Sequence, residues 1–307
     1  MASSQLSPQA TPSPKSPQPK TPQPKTPQPK TDVRGFRLAL PGIFWMAVFF
    51  LLPLLFVLIA SFMSRGRGGV PALPPTVANF ERTFGVFLPV VLRSLRVALF
   101  STLLCLLLGY PLAFFISTRE RARSRQLALF FILLPFWTNL LVRTYAIQTI
   151  LGREGTINTA LMSLGIIQEP LMMLNTAGAV LVGLVYTYLP FMVLPIYAAV
   201  ERLDRRYVEA AYDLGANDWH AFWRVIVPLT MPGVVAGCTL VFIPAIGSFI
   251  TPDLLGGTRG LMIGNLIQRQ FSGNGNIPLG SAVSVVLMVV VLMGAIVNIR
   301  FGEGRAS

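Results

Sequence analysis

Charged residues are scarce in this chain, and their scarcity indicates its class. Asp, Glu, Lys and Arg make up 12% of the 307 residues, whereas a soluble globular protein carries roughly 25%. Hydrophobic residues account for 53%. The deficit of charge, together with the apolar excess, places the chain among membrane proteins.

Histidine, cysteine and lysine are also rare, and each shortage excludes a kind of site. His220 is the only histidine, which excludes His-rich metal sites. Cys105 and Cys238 lie in apolar runs, so no disulfide framework is indicated. No lysine follows Lys30, whereas a phosphate-binding P-loop requires one after its glycines. We therefore expect a non-enzyme with no catalytic residue, no metal site and no cofactor of its own.

Six apolar segments are long enough to span a bilayer, which takes about 20 residues of helix. They cover residues 38–63, 97–118, 127–151, 177–199, 228–251 and 279–299. Prolines inside them are tolerable where neighbouring helices satisfy the freed backbone groups. The pattern predicts an all-α polytopic membrane protein, with six transmembrane helices within residues 34–307.

Positive charge predicts the orientation of these spans, because cytoplasmic loops are enriched in Lys and Arg. If the N-terminus lies inside, cytoplasmic segments hold about twice as many Lys and Arg residues as the outer loops. We therefore predict that both termini are cytoplasmic. The arginines mostly flank apolar segments, so the net charge of +13 does not indicate a nucleic-acid partner.

Residues 1–33 form a separate Pro- and Lys-rich tail that repeats SPQPK-TPQPK-TPQPK from Ser16 to Lys30. This composition favours extended polyproline II backbone and cannot build a core. We predict a disordered cytoplasmic tail. The tail has two possible roles. It sets the membrane topology and does nothing more, or it acts as a polybasic arm that contacts anionic lipid or a partner protein.

The loop between the fourth and fifth spans, residues 200–228, contains a polar helix–glycine–helix pattern. Gly215 ends the first helix, since glycine accepts the left-handed conformation that closes a helix. Asn217 is placed to cap a second helix, with Asp218 in its first turn. The apolar positions with helical spacing are Leu203, Tyr207, Ala211 and Leu214 on the first helix, and Trp219, Phe222, Trp223 and Ile226 on the second.

Two interpretations of this element compete. An apolar stripe with aromatics and flanking charge is typical of helices that lie in the lipid headgroup region. The same features also suit a rigid surface that docks into a groove of another protein.

The spacing in this loop resembles a cytoplasmic motif of permease subunits of ABC importers. That family pattern is E-A-A, three residues, G, nine residues and then I-x-L-P. Here the matching residues are Glu209, Ala210, Ala211, Gly215 and Pro228, and Val225 and Val227 replace the isoleucine and leucine. The motif lies in the loop where the family carries it, which favours docking over the headgroup interpretation.

The resemblance runs from about residue 38 to residue 300. LLPFWTNLLVRTYA, YLPFMVLPIYAAVERLD and MIGNLIQRQF are similar to the polyamine subfamily of these permeases. The first of these segments is more similar to the first than to the second permease subunit of the spermidine/putrescine system.

This resemblance implies a type I ABC importer permease fold in the bacterial inner membrane. In the family, the loop is a coupling helix seated in a cleft of the ATPase subunit. Glu209 would then contact the ATPase and Gly215 would form the elbow, with Ala210, Ala211, Asp213, Trp219 and Pro228 in the same coupling element. The implied partners are two ATPase subunits that hydrolyse the ATP, a second permease subunit that completes the pore, an external substrate-binding protein and the lipid bilayer.

Candidate path residues follow from the charge of a polyamine, since carboxylates and aromatic faces are natural contacts for a cation. They are Trp137, Asn139 and Tyr145 in the polar stretch FWTNLLVRTY, Tyr186 and Tyr188 in the fourth span, and Asp253 after the fifth. Each also has an ordinary structural interpretation: packing, an aromatic belt, or a loop acid exposed to water.

Arg143 lies about 25 Å into the third span, counted from its cytoplasmic end. At that depth it could reach the outer interface by extending its side chain, or it could serve gating or docking of the binding protein. The sequence leaves both interpretations open.

Two rival functions remain. A transporter that works alone should show internal repeats or ionisable residues at mid-membrane. Within the importer class, permeases for iron, sulfate, thiamine or opines share the coupling motif, so the polyamine substrate is implied by the subfamily resemblance alone.

Overall fold

The computed structural model describes residues 33–119, 121–273 and 275–303, so residues 1–32 of the predicted tail and the last four residues lie outside the described part, and Val33 begins the first helix. Internal contacts divide the chain into two units, Met1–Leu51 and Leu52–Ser307. In the first unit, the described residues form a helix that continues into a π-helical turn. The second unit contains the remaining elements.

Helices account for most of the described chain. In order they are α1 (Val33–Met46), α2 (Leu52–Ser61), α3 (Ala78–Gly85), α4 (Leu88–Ser117), α5 (Ala122–Leu133), α6 (Leu140–Leu151), α7 (Thr156–Ser163), α8 (Ala177–Glu201), α9 (Arg205–Asp213), α10 (Asp218–Ala221), α11 (Val227–Gly247), α12 (Ile250–Gly256), α13 (Ile263–Phe271) and α14 (Ile277–Glu303). Short π-helical turns cover Ala47–Leu51 and Phe222–Ile226, and 3₁₀ turns cover Arg67–Gly69, Leu134–Trp137 and Gly257–Gly260. Strands β1 (Met63–Arg65) and β2 (Pro71–Pro75) form an antiparallel hairpin.

Five helical stretches of the described residues are long and apolar enough to cross a membrane. They are Leu40–Ser61, Leu88–Ser117, Ala177–Glu201, Asp218–Gly247 and Ile277–Ile296. A sixth crossing results if the pair Ala122–Trp137 and Leu140–Ser163, bent by 96°, counts as one span. The predicted all-α membrane class is thus confirmed, with one short hairpin added.

The third predicted span, residues 127–151, is wrong as a single helix. Helix α5 ends in the 3₁₀ turn Leu134–Trp137, which Pro135 opens. Thr138 is extended, and the Asn139 side chain accepts a hydrogen bond of 2.8 Å from the backbone N–H of Leu141, which starts α6. A proline and a capping side chain so close together end one helix and begin another in a new direction.

Two other span boundaries differ from the prediction. The second span was predicted to start at residue 97, but α4 begins at Leu88, where Pro89 occupies a first-turn position that needs no backbone donor. The fifth span was predicted over 228–251, but its helix runs from Asp218 to Gly247. The second helix of the loop is therefore the start of the fifth span and not a separate element.

Both π-helical turns end two residues before a proline. Ala47–Leu51 precedes Pro53, and Phe222–Ile226 precedes Pro228. Proline cannot bond to the carbonyl four residues earlier and clashes with it. In the second turn the N–H of Val227 bonds to the carbonyl of Phe222, and this wider turn is the kind of π-bulge that accommodates such a conflict within a continuous helix.

Helices α4, α8 and α11 form the centre of the second unit. Their shared core contains Cys105, Met192, Ile196 and Val241, all fully buried. Glycines allow the close approach: a Cβ added at Gly233 would lie 2.5 Å from the Ala199 Cβ. Small residues at helix contacts are typical of membrane proteins, where association depends on close packing.

The short helices α12 and α13 pack at the end of this bundle opposite the 200–228 loop. Ile263 and Leu266 of α13 join a core with the first turns of α4 and the last turns of α11. Leu255 of α12 packs in a second core with Val180 and Leu184 of α8. The polar loop and the α12–α13 pair thus mark the two ends of the spans.

Candidate functional site

The loop of residues 200–228, the predicted coupling loop, is held by a capping side chain at the start of each of its helices. Asp204 precedes α9, and its carboxylate accepts a hydrogen bond of 3.0 Å from the backbone N–H of Arg206. Asn217 precedes α10, and its side-chain oxygen accepts from the backbone N–H of His220 at 2.9 Å. The ring Nδ1 of His220 lies 2.7 Å from the same oxygen. The predicted cap at Asn217 is confirmed.

Gly215 forms the elbow between α9 and the fifth span. Its φ of +83° lies in the left-handed region. The N–H of Gly215 bonds to the Tyr212 carbonyl, and the N–H of Ala216 bonds to the Ala211 carbonyl, each at 2.9 Å. This pair of bonds is the Schellman arrangement that closes a helix. Ala211 of the E-A-A motif thus supplies a backbone acceptor to the elbow.

The predicted apolar stripe of α9 is only partly covered. Ala211 is half-buried, but the side chains of Tyr207 and Leu214 are 58% and 88% exposed. Leu203, predicted to start the stripe, precedes α9 and lines a groove together with Val208, which is outside the predicted stripe. Tyr207 and Leu214 therefore form an apolar surface that the described residues do not cover.

Glu209 lines that groove, whose volume is about 460 Å³. The groove lies between α9, the last turns of α4 and α8, and the start of α5. Arg125 and Glu201, which also line it, form an ion pair of 3.1 Å that joins α5 to α8. Ala210 and Asp213 are exposed on other faces of α9.

An aromatic contact joins the end of the loop to α4. The Phe222 ring lies edge-to-face against Tyr110 and Phe114, with centroids 5.7 Å away in each case. Tyr110 also shares a hydrogen bond of 2.9 Å with Thr230, one helical turn beyond the π-helical turn. Phe222 belongs to the predicted apolar stripe, but its contact with α4 was not predicted, because no local sequence pattern shows which helix lies opposite.

Trp219 extends the aromatic surface toward the elbow. Its ring lies edge-to-face with Trp223 at 5.6 Å and is largely exposed. Nearby, a hydrogen bond to Asp218 raises the pKa of Tyr212 above its usual range, because the carboxylate favours the protonated phenol.

The six candidate path residues do not form one cluster. Trp137 is 83% exposed beside the break in the third span, and Asn139 is used as the cap of α6. Tyr145 and Tyr186 are exposed on α6 and α8. Tyr188 is half-buried, and its hydroxyl donates to the Pro244 carbonyl at 3.3 Å.

Asp253 lies on α12, beyond the fifth span. Its carboxylate forms an ion pair of 3.4 Å with Arg269 and accepts a hydrogen bond of 3.4 Å from Asn265. The Asp253 carboxylate thus already has an ion-pair partner and a hydrogen-bond donor within this chain. Arg269, its partner, was missed because the two residues are 16 positions apart on different helices.

Comparison with known proteins identifies the family of this chain. Residues 106–300 match the family described as binding-protein-dependent transport system inner membrane component. This match covers more than half of the chain, including the whole coupling loop. The chain belongs to this family. It is a multi-pass inner-membrane permease, as predicted.

Relatives of this permease carry names from polyamine transport. The spermidine/putrescine transport system permease protein PotB of Haemophilus influenzae is 47% identical over 250 residues, which cover 81% of this chain and 87% of that protein. The protein of the same name from Escherichia coli K12 is 43% identical over 262 residues, covering 85% and 94%. The resemblance to the polyamine subfamily is confirmed.

A solved structure supports the fold of this permease. The crystal structure of a bacterial ABC transporter involved in the import of the acidic polysaccharide alginate matches with a TM-score of 0.72 at 18% identity. The match covers 88% of this chain and 96% of that one. It confirms the predicted ABC permease fold.

Proposed function

We propose that this chain is one permease subunit of an ATP-driven importer of polyamines such as spermidine and putrescine. The observation that carries the proposal is the exposed coupling element, in which α9, the Gly215 elbow and the fifth span are joined by a complete set of caps. The substrate class follows from the relatives named for spermidine and putrescine.

The motor of this importer is a separate polypeptide. Lysine is absent after Lys30, so the P-loop that binds ATP phosphates has no place in this chain. Two ATPase subunits hydrolyse the ATP, and each of the two permease subunits offers one of them its coupling loop. An external binding protein delivers the substrate. The termini and the loop face the cytoplasm, consistent with the distribution of Lys and Arg.

The coupling loop transmits the movement of the motor to the spans. Tyr207, Leu214 and Trp219 supply exposed apolar area for the contact, and Glu209 supplies charge at the groove. When the ATPases close, α9 and the elbow move together, since the Schellman bonds fix them to each other. Phe222, wedged against α4, passes this movement into the centre of the bundle.

The substrate passes along a transient polar path and is not held at a deep carboxylate. Asp253, the candidate acid nearest the spans, is engaged with Arg269. Exposed aromatic faces such as Tyr186 and Tyr145 offer weak contacts to a passing cation. Weak contacts are sufficient in this subunit because the external binding protein has already selected the substrate.

The test is uptake of labelled spermidine and ATP hydrolysis by the complete complex in liposomes. Glu209→Ala should reduce uptake about tenfold or more, since a hydrogen bond to a charged group contributes about 1.5–3 kcal/mol. The matched control is Glu169→Ala, an exposed acid outside the coupling loop, which should leave uptake unchanged.

Normal coupling in Glu209→Ala would contradict the assigned role of the loop. Uptake by this chain alone, without any ATPase, would instead favour a transporter that works by itself. Competition by unlabelled putrescine, with no competition by sulfate, would support the polyamine substrate.

A further inference from the structure

An apolar groove lies between α4 and the start of the fifth span, and no described side chain fills it. Its volume is about 640 Å³. Leu103, Leu107 and Pro111 of α4 form one wall. The other wall runs from Phe222 to Val234. An open apolar groove of this size on a membrane protein indicates a binding site for an apolar group.

The lining of the groove offers almost no polar contact. Tyr110 lines it, but its hydroxyl already shares a hydrogen bond of 2.9 Å with Thr230. The remaining polar group is the indole N–H of Trp223, at the loop end. Among the described residues, no acid and no base lines the groove. The occupant must be apolar, since a polar group would lose its hydrogen bonds there.

The groove reaches from the coupling loop to the middle of the spans and ends there. Its far residues, Leu103 and Val234, lie near the midpoints of α4 and of the helix Asp218–Gly247. From Phe222 to Val234 the helix rises about 18 Å. One leaflet contributes about 15 Å to the hydrocarbon core of a bilayer. The groove therefore has the length of a single leaflet.

A spanning helix of another subunit fits this shape poorly. Such a helix crosses about 30 Å of hydrocarbon and would need a contact along both leaflets. The volume of the groove divided by its length gives a mean cross-section of about 36 Å². A helix about 10 Å wide has a cross-section of about 80 Å². A lipid acyl chain is unbranched, narrow and confined to one leaflet, so it matches both dimensions.

The loop end of the groove carries two exposed arginines. Phe115 lies one helical turn beyond Pro111 on α4, and the guanidinium carbon of Arg119 lies 3.9 Å from the centroid of its ring. Arg224 directly follows Trp223. Neither arginine forms an ion pair with a described residue. Because tryptophan is enriched at the depth of lipid headgroups, this end of the groove provides positive charge where a headgroup would lie.

We infer that the groove binds one acyl chain of an anionic phospholipid, with the lipid phosphate beside Arg119 and Arg224. The inference rests on the proposed function, which places the coupling loop, and hence this lipid, on the cytoplasmic side. A neutral lipid has the same chains, so the groove selects the chain and the arginines select the charge. Each basic residue near an anionic lipid surface favours binding by about fivefold.

The bound lipid lies beside the contact that joins the coupling loop to α4. The rings of Phe222 and Tyr110, with centroids 5.7 Å apart, both line the groove. A chain in the groove limits the movement of Phe222 away from α4. The lipid is then part of the contact that passes movement from the loop into the bundle.

The first experiment measures which lipids the isolated full-length chain retains. The chain is placed in nanodiscs of phosphatidylcholine and phosphatidylglycerol with identical acyl chains, and the lipids still bound after extraction are counted by native mass spectrometry. The wild type should retain one phosphatidylglycerol in preference to phosphatidylcholine. Arg224→Gln should lower this preference about fivefold, and Arg119→Gln with Arg224→Gln about 25-fold.

Two matched controls separate this site from other contacts with lipid. Arg202→Gln removes an exposed arginine on the same side of the spans and should leave the preference unchanged. Leu107→Trp should fill the groove and release the retained lipid whatever its headgroup, whereas Leu108→Trp, at an exposed position that does not line the groove, should not. The Pro- and Lys-rich tail is present in every variant, so its own attraction for anionic lipid is the same throughout.

The second experiment measures spermidine uptake by the complete complex in liposomes. Uptake by the wild type should rise when phosphatidylglycerol replaces part of the phosphatidylcholine, and the double arginine variant should lose this rise. A rise of equal size in both would contradict the role of the lipid in coupling.

Equal lipid preference in Arg224→Gln and Arg202→Gln, or an unchanged retained lipid in Leu107→Trp, would overturn the inference and leave the proposed function intact. Loss of a co-purifying second subunit in Leu107→Trp, without loss of lipid, would show that protein covers the groove and would also overturn it. Failure of the wild-type chain to assemble with any ATPase would overturn the proposed function, whereas lipid retention by the isolated chain would still be measured.

Discussion

The sharpest test of the coupling loop is a series of substitutions at Gly215. A Cβ added there meets nothing within 4 Å, so the series changes backbone preference without creating a clash. The φ of +83° costs an L-residue roughly 1–2 kcal/mol, which corresponds to a factor of about 5–30 in the local equilibrium. Asparagine tolerates this conformation better than alanine, and a β-branched valine tolerates it worst.

The assay is amide hydrogen exchange at the two bonds of the elbow, measured together with uptake. Exchange at the N–H groups of Gly215 or its replacement and of Ala216 should accelerate by about 5–30-fold in Gly215→Ala and by more in Gly215→Val. Gly215→Asn should remain close to the wild type, and uptake should fall in the same order. Equal exchange in the asparagine and valine variants, after correction for their intrinsic exchange rates, would refute the argument, because backbone strain predicts a clear difference between them.

Two further predictions concern packing and the loop before α8. Gly233→Val should clash with Ala199 and lower stability by about 1–3 kcal/mol, seen as a lower thermal midpoint, whereas Gly247→Ala on the same helix meets nothing and should be neutral. Asn158→Ala should cost about 1–3 kcal/mol locally, because the buried side chain donates to the Leu171 carbonyl and accepts from its N–H. Limited proteolysis should then cut residues 152–171 faster, and unchanged cleavage would contradict this role.

The elbow could be predicted from the sequence because its chemistry is local. A glycine at the end of an apolar stripe and an asparagine two residues later satisfy a helix end and a helix start without help from elsewhere. The structure reproduces both at Gly215 and Asn217.

The break in the third span could not be predicted, because a proline in the sequence does not by itself show that a helix ends there. Pro190 and Pro195 lie inside α8, which remains one helix, whereas Pro135 helps to end α5. The difference lies in the surroundings: α8 packs against α4 and α11 along its length, and only the third span has a capping asparagine four residues after its proline. Tertiary packing decides which proline breaks its helix.

The sequence also did not allow us to predict which charged side chains form ion pairs. Asp253 was a candidate contact for the substrate, but Arg269 occupies it from another helix. The depth of Arg143, counted along a straight span, placed it near an interface. The 96° bend changes that count, since α6 no longer runs along the path of α5.

The continuous helix from Asp218 to Gly247 has a mechanical consequence. It is about 45 Å long, and its glycines Gly233 and Gly237, which pack closely against α8, lie just beyond its middle. A rod held between these two glycines works as a lever with arms of about 24 Å to Trp219 and about 20 Å to Ser248. A thrust of about 4 Å on the Trp219 arm would then swing the other arm by about 3 Å in the opposite sense, so that one end of the pore narrows while the other widens.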